Sequence, residues 1–158
     1  MSLASLQLPH WLWWVAICGV CANAGWRGGP SERIGAAAIF VGWMIAVLLP
    51  DDQWLHLRWT TTVVDILVFA VLIWLALRSD RYWPICAAAF QLLAVVTHVA
   101  QMLDRTLGNW VYYSAGVLWG YLLLVPLAVG TWTYRAARRR AEVELAMGFD
   151  PAIGDTRR

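Results

Sequence analysis

Five long apolar runs dominate the chain and limit what it can fold into: Leu8 to Ala24, Ile34 to Leu49, Thr60 to Leu77, Trp83 to Leu103 and Trp110 to Tyr134. A bilayer hydrocarbon core about 30 Å thick is crossed by about 20 helical residues, with a range of about 17–25. The third, fourth and fifth runs meet that length directly. The first two reach it only with their flanking residues, and the first is the weakest candidate to cross. A soluble domain of 158 residues has no core large enough to hide this much consecutive apolar chain. Only 14% of the residues are charged, against about 25% in soluble domains. The expected fold class is therefore all-α: an integral membrane bundle of five transmembrane helices, or four if the first run does not cross.

Charge placement sets the expected orientation. All twelve basic side chains are Arg. With five crossings, ten of them fall on one side: Arg27, Arg33, Arg78, Arg81, Arg135, Arg138, Arg139, Arg140, Arg157 and Arg158. The other side receives only Arg58 and Arg105, beside Asp51, Asp52 and Asp104. Basic loops stay in the cytoplasm, so the N-terminus is expected outside and the C-terminus inside. Residues 1–134 then form the bundle. Residues 135–158 form a cytoplasmic basic juxtamembrane helix, Arg135 to Met147, and a tail frayed after Gly148. The Arg cluster at its start is expected to set topology and to touch anionic headgroups. Ala22-Asn23-Ala24 has the small residues of a signal cleavage site, but no basic residue precedes the first run, and an uncleaved helix is expected.

The tryptophans follow the same layout. Trp11, Trp13, Trp14, Trp54, Trp59 and Trp110 are expected near the outer interface, and Trp26, Trp74, Trp83 and Trp132 near the inner one, as amphipathic rings favour headgroup depth. Trp43 and Trp119 fall near mid-membrane, where packing against other helices is expected. Small residues mark candidate helix contacts: Gly116 and Gly120 as a GxxxG in the fifth run, and Ala38 and Gly42 at the same spacing in the second. Cys18 and Ala22 repeat that spacing in the first. These fit packing within the bundle, or a homo-oligomer seam. Cys18 and Cys21 form a CxxC inside an apolar helix, where a packing role is expected. Pro126 should bend the fifth helix, with its neighbours absorbing the change.

Chemistry inside a membrane is sought first at ionisable residues, which are costly there. Asp65 lies five residues after Thr60 and His98 five residues before Leu103. On antiparallel helices both sit about 7–8 Å inside the outer boundary. Gln91, Ala94, His98 and Gln101 share one helix face, and Tyr113 approaches the same level from the fifth run. A carboxylate beside an imidazole favours the charged His and can handle a proton. Asp65, His98, Gln91, Gln101 and Tyr113 thus form a candidate intramembrane polar site. The competing readings are a hydrogen-bonded tie between helices, and a metal or haem site drawing on His10, His56 and His98.

No HExxH, CxxCH, GxSxG, Walker A or GxGxxG pattern occurs, so no catalytic residue, metal site or cofactor is assigned. The charge of +2 does not point to nucleic acid. The expected partners are the lipid bilayer and either a second membrane protein or a second copy of the chain. The leading functional expectation is a non-enzymatic accessory or interaction subunit. Behind it stand a small-molecule or proton-linked binding or transport protein, and then a haem- or metal-bearing redox subunit.

The segment Ala76-Leu-Arg-Ser-Asp-Arg-Tyr-Trp-Pro84, with Thr97-His98 a helix later and Glu32-Arg33-Ile34-Gly35-Ala36-Ala37 at the start of the second run, resembles small uncharacterised multi-pass inner-membrane proteins of alphaproteobacterial type. The resemblance covers roughly residues 30–132. It implies a bacterial inner-membrane location and carries over no activity and no functional residue.

Overall fold

The computed structural model describes residues 10–48, 59–103 and 109–147, with side chains for 12–48, 60–103 and 114–147. The described residues form five α-helices and no strand: α1 His10–Arg27, α2 Pro30–Leu48, α3 Trp59–Arg78, α4 Trp83–Leu103 and α5 Asn109–Ala146. Each helix packs on the next in sequence and α1 returns to α5, which closes the ring. Four helices are long and apolar enough to cross a membrane: α2, α3 from Thr60, α4, and α5 from Ser114. The short α1 is not among them, although it takes its place in the bundle.

Both connections at the Arg-rich end are tight. The Gly28 amide closes α1 on the Ala24 carbonyl at 2.9 Å, and Arg33 opens α2 on the Gly29 carbonyl at 3.0 Å. Pro30, which has no amide hydrogen to satisfy, suits the first position of α2. α3 ends with Ser79 bonded to the Leu75 carbonyl at 2.9 Å.

The core joins all five helices through Ile17, Ala24, Ile39, Leu72, Ala87 and Leu127, with Leu72, Ala87 and Leu127 fully covered. The outward faces are equally apolar: Val15, Val41, Leu67, Val96 and Val125 are all more than half exposed, or nearly so. Helices that are apolar all round need either surrounding protein or lipid, and four of these are long and apolar enough to cross a membrane.

The expected boundaries shift most at α2 and α5. α2 begins four residues before the apolar run, because Pro30, Ser31 and Glu32 form a good polar first turn. α5 does not stop at Arg135; the bundle helix and the basic juxtamembrane helix are one element of 38 residues. Ala, Arg and Glu are strong helix formers, so nothing in Arg135 to Ala146 ends the helix. Pro126 lies buried within it.

The small-residue contacts divide. A Cβ at Gly42 would come 2.6 Å from Val68, and Gly120 lies against the Trp13 ring, whereas Gly116 faces open space. Gly116 and Gly120 therefore do not act as one packing motif within the chain. Ala38 is half-buried, and Cys18 and Ala22 are exposed while Cys21 is buried. Trp13 is drawn inward instead of to an interface, edge-on to Trp43 and to Tyr121 at 4.8 Å.

Candidate functional site: a carboxylate–imidazole pair between α3 and α4

Asp65 sits two turns into α3 and His98 more than a turn from the end of α4, so the antiparallel crossing sets them level. His98 Nε2 lies 2.7 Å from Asp65 Oδ2, and their side chains are 13% and 22% exposed. Gln91 occupies the other carboxylate oxygen: its Nε2 donates to Asp65 Oδ1 at 2.9 Å and to the Asp65 carbonyl at 3.2 Å. Gln91 is buried. It lies seven residues, or about 10 Å, deeper along α4 than His98. Its long side chain returns to the carboxylate from below. Both carboxylate oxygens are thereby held, and the imidazole faces a fixed acceptor.

The other residues expected at this site are placed differently. Gln101 is half-buried and makes no hydrogen bond among the described residues. The side chains of Tyr113, His10 and His56 lie outside the described residues. Thr97, beside His98, accepts the Trp119 indole N–H at 3.1 Å and donates to the Leu93 carbonyl at 2.8 Å. That bond ties α5 to the same level of α4, so three helices meet around the pair.

Two ligands do not make a metal centre of the usual kind. Among the described residues no group of three His, Cys, Asp or Glu side chains converges. The chemistry this geometry offers is proton exchange between an oriented imidazole and a fixed carboxylate.

A second polar cluster, at the Arg-rich end, was not legible in the sequence. Glu32 is completely buried. Its Oε1 accepts the Trp83 indole N–H at 2.9 Å, and its Oε2 accepts the Ser31 hydroxyl at 3.1 Å. Trp83 is thus a core residue at 5% exposure, not a member of the inner aromatic belt. The ring is seated between two glycines: a Cβ at Gly35 would fall 2.5 Å from it, and one at Gly130 2.6 Å from it. Trp26, Trp74 and Trp132 do turn outward at this end.

Comparison of the chain with protein-family models, with curated proteins and with solved structures finds no match.

Proposed function

We propose that this is a non-enzymatic, multi-pass protein of the bacterial inner membrane that binds protons, or a small protonatable solute, at the Asp65–His98–Gln91 cluster. One observation carries the reading: the 2.7 Å contact of His98 with a carboxylate whose other oxygen is held by Gln91. A tie between helices needs one hydrogen bond. This arrangement goes further and fixes an imidazole in one orientation at the end away from the eight described arginines. When a proton enters, neutral imidazole beside carboxylate becomes imidazolium beside carboxylate, and the new charge meets its partner without rearrangement. Such a group inside a membrane segment is a functional candidate on grounds of cost alone.

The test is reconstitution into liposomes carrying a pH-sensitive dye. Proteoliposomes under an imposed proton gradient should equilibrate faster than empty liposomes, and Asp65→Asn and His98→Gln should each remove the excess rate while the protein stays folded. Equal rates for protein-containing and empty liposomes would refute the proton reading.

The proposed orientation has the C-terminus in the cytoplasm, supported by the ten-to-two division of arginines. A C-terminal fluorescent fusion should therefore glow and a C-terminal alkaline phosphatase fusion should be inactive, while phosphatase fused after Gln53 should be active. The reverse pattern would invert the topology.

The accessory-subunit reading is favoured by a different observation. α1, the helix outside the spanning set, turns Cys18, Gly19 and Ala22 outward, and Gly116 of α5 is also uncovered. Small outward residues let another helix approach closely. A stoichiometric partner retained in mild detergent, together with no proton flux, would favour this reading over the first.

A further inference from the structure

Among the described residues, all eight arginines lie at one end of the bundle: Arg27 and Arg33 around the α1–α2 turn, Arg78 and Arg81 around the α3–α4 turn, and Arg135 with Arg138 to Arg140 on α5. Only Arg138 has a carboxylate partner among them, Glu142 at 3.1 Å. Asp80 stands in the α3–α4 turn but pairs with no arginine, and Glu32 is buried against Trp83. Among the described residues the rim thus carries eight arginines against Glu32, Asp80, Glu142 and Glu144, an excess of positive charge.

Two of these guanidinium groups are held in place by aromatic rings. Arg78 lies over Trp74 at 5.6 Å, and Arg81 over Tyr134 at 5.3 Å. Tyr134 in turn packs on Gly29, where a Cβ would come 2.8 Å from its ring. Arg81 thus sits on a platform spanning three segments of the chain. A ring face orders a guanidinium without cancelling its charge. The planar fork stays available for an oxyanion.

At the same end, large aromatic rings point away from the protein. Trp26 and Tyr82 are each 85% exposed and Trp132 is 70% exposed. They come from α1, the α3–α4 turn and α5, and Trp74 of α3, 48% exposed, joins them from the other side of the ring, so exposed rings are spread around the bundle. A protein or nucleic-acid partner would cover one side of such a rim. A lipid leaflet contacts all of it, with rings at the acyl boundary and guanidinium groups at the phosphates.

We propose that this rim binds the phosphates of anionic phospholipids, with Arg81, fixed on Tyr134, as its best-ordered phosphate ligand. The inference rests on the membrane reading above and is independent of the Asp65–His98 cluster. α5 extends the surface: from Arg138 onward its described side chains are exposed. The arginines lie nearest the bundle and Glu142 and Glu144 beyond them, the order expected beside a negatively charged leaflet.

The experiment uses the full chain in nanodiscs of phosphatidylcholine alone or with phosphatidylglycerol, at matched acyl length, and reads the thermal midpoint. Ligands that bind the native state raise it. The expected result is a midpoint several degrees higher with phosphatidylglycerol, a shift that shrinks in high salt and is reduced in Arg81→Gln. The triple variant R138Q/R139Q/R140Q, altered only on the exposed helix, should lose a further part of the shift. Equal midpoints in the two lipids would overturn the proposal. So would an undiminished shift in both variants, or an equal shift produced by inorganic phosphate in phosphatidylcholine discs. Recovery of the chain in the soluble fraction without lipid or detergent would overturn the membrane reading itself, a result distinct from equal midpoints in discs.

Discussion

Asp65→Ala is expected to destabilise the protein by about 2–3 kcal/mol, the upper part of what leaving desolvated hydrogen-bonding groups without their partner costs. The Asp65 side chain retains 22% exposure, so water relieves part of the loss. The loss comes from removing the carboxylate that His98 and Gln91 share, after which Gln91 keeps only the weaker bond to the residue 65 carbonyl at 3.2 Å. Asp65→Asn keeps one carbonyl oxygen for Gln91 or His98 and should cost less, roughly 1–2 kcal/mol. The double variant D65A/H98A should cost less than the sum of its two single changes, because the two residues share one contact that each single change already removes. Unfolding in graded denaturing detergent measures all three. An Asp65→Ala protein within about 0.5 kcal/mol of the parent would mean that the pair makes no net contribution, since that is the spread of ordinary surface changes.

Trp83→Ala should have the largest effect of any single change. The ring is 5% exposed and fills the gap between Gly35 of α2 and Gly130 of α5. Truncating a core aromatic costs about 3–5 kcal/mol, and here Glu32 also loses its indole donor, which adds about 1–3 kcal/mol. The complementary change is Gly130→Ala, which drives a Cβ into a rigid ring and should cost about 1–3 kcal/mol by overpacking. In the Trp83→Ala background that penalty should vanish, as the added methyl then enters a vacated space. Equal penalties for Gly130→Ala in both backgrounds would show that the ring is not what crowds this glycine.

The helices were legible because hydrophobicity in a membrane chain is nearly a ruler. α4 spans the same residues as its apolar run, Trp83 to Leu103. The ruler measures lipid and not helix, however. It missed the polar first turn of α2, and it did not join the expected Arg135–Met147 helix to the fifth run, where propensity carries one helix beyond the apolar zone.

The Asp65–His98 pair was legible for a related reason: these are the ionisable residues stranded within their runs, and equal depth on adjacent antiparallel helices follows from counting. Their facing each other did not follow, since depth leaves rotation about each helix axis free. Gln91 shared a face with His98 in the sequence, but so did Gln101, and only the helix crossing selects Gln91 for Asp65. Glu32 left almost no trace. Beside Arg33 and after Gly28-Gly29-Pro30 it reads as one more interfacial charge. Its donor, Trp83, is 51 residues away in sequence, and reads equally well as a belt residue. The one signal was a glutamate at the third position of a helix opened by proline, which often turns back toward its own cap.

That 51-residue separation bears on how the chain is made. As the ribosome delivers α1 and α2, the Glu32 carboxylate has only the neighbouring Ser31 hydroxyl to satisfy it. Its second donor arrives when Trp83 emerges. The first hairpin therefore cannot settle its polar end within lipid on its own and must keep Glu32 in contact with water until α4 is synthesised. Assembly of the Arg-rich end is in this sense retroactive, with an early helix waiting for a late one. A nascent chain halted before Trp83 presents an unfinished acidic end to the quality-control machinery of its membrane.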